Sequence, residues 1–93
     1  MANLVRRFFK HRTGHFYFTL GTSHHTETME ELMTYISLYE TDKYPFGKIW
    51  CRPLKMWTEV VDGRPRSVEE IPSDELRNKT TDYLKTLLQP PRV

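Results

Sequence analysis

Hydrophobic and polar positions change their period along the chain, and the change separates a β-rich front from a helical end. From His15 to Thr22, Phe16, Phe18 and Leu20 alternate with Tyr17, Thr19 and Gly21, which predicts a strand with one apolar face and one face of rings and hydroxyls. Gly21 marks a bulge or a close backbone approach. Before it, Val5 to Lys10 is extended, with Phe8 and Phe9 on opposite sides, and Arg12-Thr13-Gly14-His15 is the turn. Ser23 to Thr28 holds no apolar residue and predicts the connection of a long hairpin. β-branched and aromatic residues then predict a strand from Glu31 to Tyr39. Met33, Tyr35, Ser37 and Tyr39 share one side of it, and Leu32, Thr34, Ile36 and Leu38 the other.

Glu40 to Gly47 is a loop that turns at Tyr44-Pro45-Phe46-Gly47. Lys48 to Arg52 is the next strand, stopped by Pro53, whose nitrogen cannot donate to a ladder. Leu54 to Trp57 makes a tight turn, and Thr58 to Val61 extends to Asp62-Gly63, a strong two-residue hairpin signal. Arg64-Pro65-Arg66 returns as a short edge. At Ser73 the period becomes helical: Ser73 caps, Asp74 and Glu75 sit at the positive end of the dipole, and Leu76, Thr80, Tyr83 or Leu84, and Leu87 recur on one face until Pro90-Pro91. That stripe predicts a docking face, with self-association as a second use.

At 93 residues the chain holds one domain, divided into a β portion over 6–66, a connector over 67–72 and a C-terminal helix over 73–89. Five Phe, five Tyr and two Trp compensate for the thin core that such a length allows. One cysteine, Cys51, permits no intrachain disulfide and no Cys-x-x-Cys metal site, which suits a reducing compartment; its expected place is as a small buried apolar group. No run approaches the ~20 apolar residues of a membrane span, and Met1 to Lys10 lacks the features of a signal peptide. The expectation is a complete, cytoplasmic protein with no membrane partner. The net charge of +2 hides blocks. Arg6, Arg7, Lys10 and Arg12 precede any acid, and Lys43, Lys48, Arg52, Lys55, Arg64 and Arg66 outnumber Glu59 and Asp62. If the two blocks lie side by side they form a basic face.

The stretch from Trp50 to Trp57 concentrates the candidate chemistry. Strand parity puts Trp50 and Arg52 on one face and Ile49 and Cys51 on the other. Gathered with Tyr17, Tyr35 and Tyr39, and with Lys10, Lys48 and Lys55 behind, they can stack a planar ring and pair Arg52 with a phosphate or carboxylate; the competing reading is that the rings are core. His24-His25-x-Glu27 offers imidazoles and a carboxylate, but a structural metal site wants four ligands, so no metal and no cofactor is expected and His25 is read as a turn-stabilising hydrogen-bonding group. An enzyme using His25 and Glu27 as base and acid is a third reading, and no nucleophile elbow or phosphate-cradling loop accompanies them.

Phe9-Lys10, Tyr17, Leu20-Gly21, His25-x-Glu27-Thr28, Glu31-Leu32, Tyr35, Leu38-Tyr39, Trp50-x-Arg52-Pro53 and Met56 together resemble the bacterial and phage family called domain of unknown function 1653, over about residues 6 to 66. The resemblance implies a small SH3-like β-barrel, here of about five antiparallel strands with a C-terminal α-helix, and it implies no activity. The loop between Tyr39 and Trp50 is longer than the family pattern, His11 to Thr13 adds residues, and the C-terminal helix lies outside it. The expected function is a non-enzymatic binding module that takes a planar anionic ligand: a nucleotide, a nucleotide-derived signal or single-stranded nucleic acid. Its expected ligand-binding residues are Tyr17, His25, Glu27, Tyr35, Tyr39, Trp50 and Arg52. The alternative is a protein-protein adaptor that takes an extended peptide in an aromatic groove or forms a homo-oligomer through its helix.

Overall fold

The computed structural model describes residues 4–88. Its centre is a five-stranded antiparallel sheet built from β1 (Phe8–His11), β2 (Phe16–His24), β3 (Glu31–Ser37), β4 (Ile49–Pro53) and a strand that ends the β portion. Between β4 and that strand come a one-turn helix, α1 (Leu54–Trp57), and a small separate hairpin of β5 (Val60–Val61) and β6 (Arg64–Pro65). The last strand is β7 (Ser67–Glu69), and α2 (Asp74–Leu88) follows it. The order across the sheet is β4-β3-β2-β1-β7.

Strand parity gives the sheet two apolar faces. Phe8 pairs with Phe18 and Lys10 with Phe16, while Phe9 pairs with Tyr17, so neighbours in sequence go to opposite sides. On one side Phe18, Ile36 and Leu38 form a buried cluster with Phe8, Phe16, Leu20 and Phe46. α2 lies on this side through Leu76, Tyr83 and Leu84, and we call it the helix face. On the other, Phe9, Met33, Tyr35 and Trp57 are buried, with Tyr17, Trp50, Leu4 and Leu54 packed against them; this is the aromatic face. A register shift between Thr19 and Gly21 is the bulge that Gly21 announces, with Leu20 as the extra residue.

Four features differ from expectation, each for a physical reason. The sheet is open: β4 and β7 are its two edges and no ladder joins them among the described residues, so the expected closed barrel is replaced by a covered sheet. A closed barrel turns one strand face to its outside, and here both faces are apolar enough to need cover, which α2 and α1 supply. The fifth strand comes from the expected connector, because β7 pairs with β1 through Phe9↔Glu69, Lys10↔Val68 and His11↔Ser67. Pro53 is paired with Leu32 at the end of β4, a position it tolerates because β4 is an edge strand. Cys51 is exposed, not buried; it stands opposite Thr34 with its sulfur 3.5 Å from Thr34 Oγ1.

Two glycines hold turns. In the β5–β6 hairpin Asp62 and Gly63 have φ of 54° and 76°, the left-handed pair of a type I′ turn. Gly47 has φ 84° and lies under the Tyr83 ring, whose Cζ is 2.2 Å from where a Cβ would stand. Tyr83 also donates its hydroxyl to the Gly47 carbonyl at 3.0 Å, pinning α2 to the loop before β4. At the start of α2, Ser73 Oγ accepts from the Leu76 N–H at 3.3 Å, the cap that the sequence predicts. Pro90 and Pro91, expected to stop the helix, lie outside the described residues.

Candidate functional site

The aromatic face is a chain of rings in contact, sealed at one end. Trp57, carried back over the sheet by α1 and 3% exposed, packs edge-on to Phe9 at 5.3 Å and tilted against Tyr35 at 4.8 Å between centroids. Its Nε1–H is buried with no acceptor among the described residues. Tyr35 meets Tyr17 edge to face at 5.4 Å, and Tyr17 meets Tyr39 at 5.7 Å. The two hydroxyls of that pair are 3.0 Å apart. Tyr39 in turn stacks on His15 at 4.0 Å with 21° between planes, and His11 lies edge-on to Tyr17 at 6.3 Å. Edge-to-face pairs are the arrangement that aromatic quadrupoles favour. The rings therefore pack on one another, and Tyr35, 6% exposed, is core.

Register brings Arg52 into the layer. It pairs with Met33, and Trp50 pairs with Tyr35, so both project from the aromatic face as parity requires. The Arg52 guanidinium is 5.7 Å from the Tyr35 ring centroid, within cation–π range. No carboxylate lies within 4 Å of it among the described residues. Trp50 borders the layer, edge-on to Tyr44 at 4.9 Å with the Lys48 ammonium 5.7 Å from its ring.

Electrostatics record the same convergence. Burial pushes the Tyr17 phenol well above its ordinary value, and the Tyr39 hydroxyl adds to the rise. Burial also raises Tyr35, against the opposing pull of Arg52. His11 is lowered first by burial and then by Arg52, Arg12, Arg66 and His15. The first and third charge blocks meet where the Arg12 N–H donates to the Arg66 carbonyl at 3.2 Å, and a protonated His11 would stand among like charges.

Of the seven expected site residues, the structure gathers Tyr17, Tyr35, Tyr39 and Arg52, with Trp50 at their border. His25 and Glu27 stand elsewhere, in the turn joining β2 to β3. There His25 Nδ1 accepts from the N–H groups of Glu27 and Thr28 at 3.1 and 3.3 Å, the role of a turn-stabilising histidine. Among the described residues no group of three or more metal-ligating side chains occurs. Three members of the layer lie outside the expected ligand set: His11, His15 and Trp57, the last at the end of the stretch singled out from the sequence. The histidines had a signal, since each lies two positions from an aromatic-face residue, Phe9 or Tyr17, and so shares its parity.

Fold and site together define a small open-sheet domain with one face covered by α2 and one face of rings beside Arg52 and Lys48. The chain belongs to the family described as protein of unknown function (DUF1653), whose profile matches residues 7–69. That range runs from just before β1 to the last residue of β7, so it holds the whole sheet and leaves out α2. A crystal structure of a member of the same family from Bordetella bronchiseptica is similar, with 28% sequence identity and a TM-score of 0.61, covering 74% of this chain and 92% of that one. No curated protein matches. Among the described residues no helix is long and apolar enough to cross a membrane.

Proposed function

We propose that the chain is a non-enzymatic binding module whose aromatic face takes a planar anionic ligand, a nucleotide or a nucleotide-derived group. The observation that carries this reading is Arg52: a guanidinium held over Tyr35 and left without a carboxylate among the described residues. An arginine kept for structure is normally neutralised by an acid. An arginine over a buried ring and beside half-buried ones has instead the donors to pair an incoming phosphate while a base lies on the ring edges. Tyr39 and Trp50 are the half-buried rings nearest solvent in this set, and Tyr17 and Tyr35 form the floor. The layer is rigid because each ring is held by the next, so little side-chain entropy is lost on binding.

Trp50 provides the readout. Nucleoside monophosphates titrated into the protein should quench or shift its tryptophan fluorescence, and Arg52→Gln should weaken the response about tenfold or more, the scale of a lost charge-assisted hydrogen bond. A folded protein whose fluorescence answers to no nucleotide or oligonucleotide removes the proposal.

A second reading, an adaptor that adds an extended peptide as a strand, rests on the open edge at β4, where Ile49 is 46% exposed. Salt separates the two, because phosphate contacts weaken steeply as salt rises and ladder hydrogen bonds do not.

A further inference from the structure

Beside the aromatic face, at the end of the β1–β7 edge, lies a notch of about 130 Å³ lined by Lys10, His11, Arg12, Pro65, Arg66 and Val68. It forms because the turn after β1 and the segment between β6 and β7 are tied together, the Arg12 N–H donating to the Arg66 carbonyl at 3.2 Å. Its apolar lining is Pro65 and Val68, both exposed, and the rest of its lining is cationic or imidazole. Two of the cations are partly answered. Lys10 Nζ is 3.6 Å from Glu70, and Arg66 Nε is 3.4 Å from Glu59. The latter contact pairs charges without a hydrogen bond, since Arg66 Nε is buried and finds no acceptor in line with its N–H. Arg12 is exposed and has no carboxylate within 4 Å among the described residues. His11 Nδ1 accepts from the Thr13 N–H at 3.2 Å, which leaves Nε2 to carry the ring proton as a further donor.

The notch and Arg52 are two anion positions on one surface. Ring contacts link them: the Arg52 guanidinium is 5.7 Å from the Tyr35 centroid, Tyr35 is 5.4 Å from Tyr17, and Tyr17 is 6.3 Å from His11, which lines the notch. His11 sits between them, its charge opposed by Arg52 from one side and by Arg12 and Arg66 from the other. The cationic and imidazole donors of the notch suit a phosphate group.

We infer that this notch is a phosphate subsite that meets the aromatic face at His11, and that the ligand class is therefore phosphodiester-linked nucleotides, one phosphate at Arg52 and a second at His11, Arg12 and Arg66. The inference rests on the binding role proposed for the aromatic face and adds the length and linkage of what binds there. A linear single strand and a cyclic dinucleotide share this chemistry.

The test compares three probes by tryptophan fluorescence on the full chain: a nucleoside monophosphate, a short oligothymidylate and a cyclic dinucleotide. At least one of the two linked probes should bind about tenfold tighter than the monophosphate, and whichever does so identifies the source. Arg12→Gln should erase that advantage and leave monophosphate binding unchanged. If the oligothymidylate is the tighter probe, this variant also loses about 0.7 from its slope of log affinity against log salt, the share of one single-strand phosphate. Arg12 is exposed and its backbone bond survives the change, so an unaltered melting temperature confirms that the variant is folded. If linked probes bind no tighter than the monophosphate, or if Arg12→Gln leaves their advantage intact, the subsite is overturned while the aromatic face keeps its role. If no probe binds, both are overturned.

Discussion

The two faces of the sheet are made by the same strands and differ in what covers them. On the helix face α2 docks through Leu76, Tyr83 and Leu84, and the Tyr83 ring fits over a glycine that leaves no room for a side chain. On the aromatic face a single turn of helix brings Trp57 over Phe9 and Tyr35, and cover is lighter toward Tyr17, Tyr39 and His15. On α2 the buried Thr80 hydroxyl is satisfied by the Leu76 carbonyl at 2.8 Å, while the aromatic face ends its rings in hydroxyls, imidazoles and a guanidinium. Both faces bury core and both leave a margin: on the helix face an apolar cavity of about 410 Å³ lined by Phe18, Leu20, Leu84 and Leu87, and on the aromatic face rings that end in polar groups. The family match ends at β7, before α2, so the matched region contains the aromatic face and not the helix-face cover.

That contrast predicts where stability and binding reside. Ile36→Ala, at a position 0% exposed on the helix face, should cost about 3–4 kcal/mol in urea unfolding, the transfer loss plus an unfilled cavity. Gly47→Ala on the same side should cost about 3 kcal/mol. It forces a Cβ into the Tyr83 ring and an L-residue into left-handed backbone. Either loss is a large share of the margin of so small a domain. Tyr39→Phe on the aromatic face should cost under about 1 kcal/mol, one hydroxyl pair. An Ile36→Ala loss no larger than that of Tyr39→Phe would show that α2 does not carry the fold.

A smaller effect separates the faces by pH. Tyr17 and Tyr35 have raised phenol values from an ordinary 10.0. The unfolded chain therefore loses these protons first, and stability, fully present below pH 10, falls as pH rises beyond it. His11 is lowered from 6.5, so the unfolded chain gains that proton first and stability falls as pH drops below 6.5. The denaturation midpoint should be highest between these limits. Tyr17→Phe should flatten the alkaline limb, and an unchanged alkaline limb would place the Tyr17 hydroxyl in water.

Alternation along the chain was enough to assign most side chains to a face. Phe8 against Phe9, Phe16 and Phe18 against Tyr17, and Trp50 with Arg52 all follow from period two. Asp62-Gly63 and Ser73 announced their turn and cap. What the pattern missed was set by pairing at a distance. Ser67-Val68-Glu69 is short and has no alternation to read, and becomes a strand only because β1 offers an edge. Whether five strands close or stay open depends on covering elements, and the apolar residues of both faces satisfy either arrangement locally. Cys51 looked like core because a free cysteine usually behaves as a small buried apolar group, but it belongs to an edge strand and is exposed. His25 and Glu27 are close to the strands in sequence yet project from the far turn, since β2 runs on through His24 before reversing.

Amide chemical shifts followed by NMR while a single-stranded oligonucleotide is added decide which face binds. The account predicts movement at His11, Tyr17, Tyr35, Tyr39, Trp50 and Arg52, with α2 residues such as Leu76 and Leu84 unmoved. Shifts confined to α2 and the β4 edge around Ile49 and Cys51, or none at all, would contradict it.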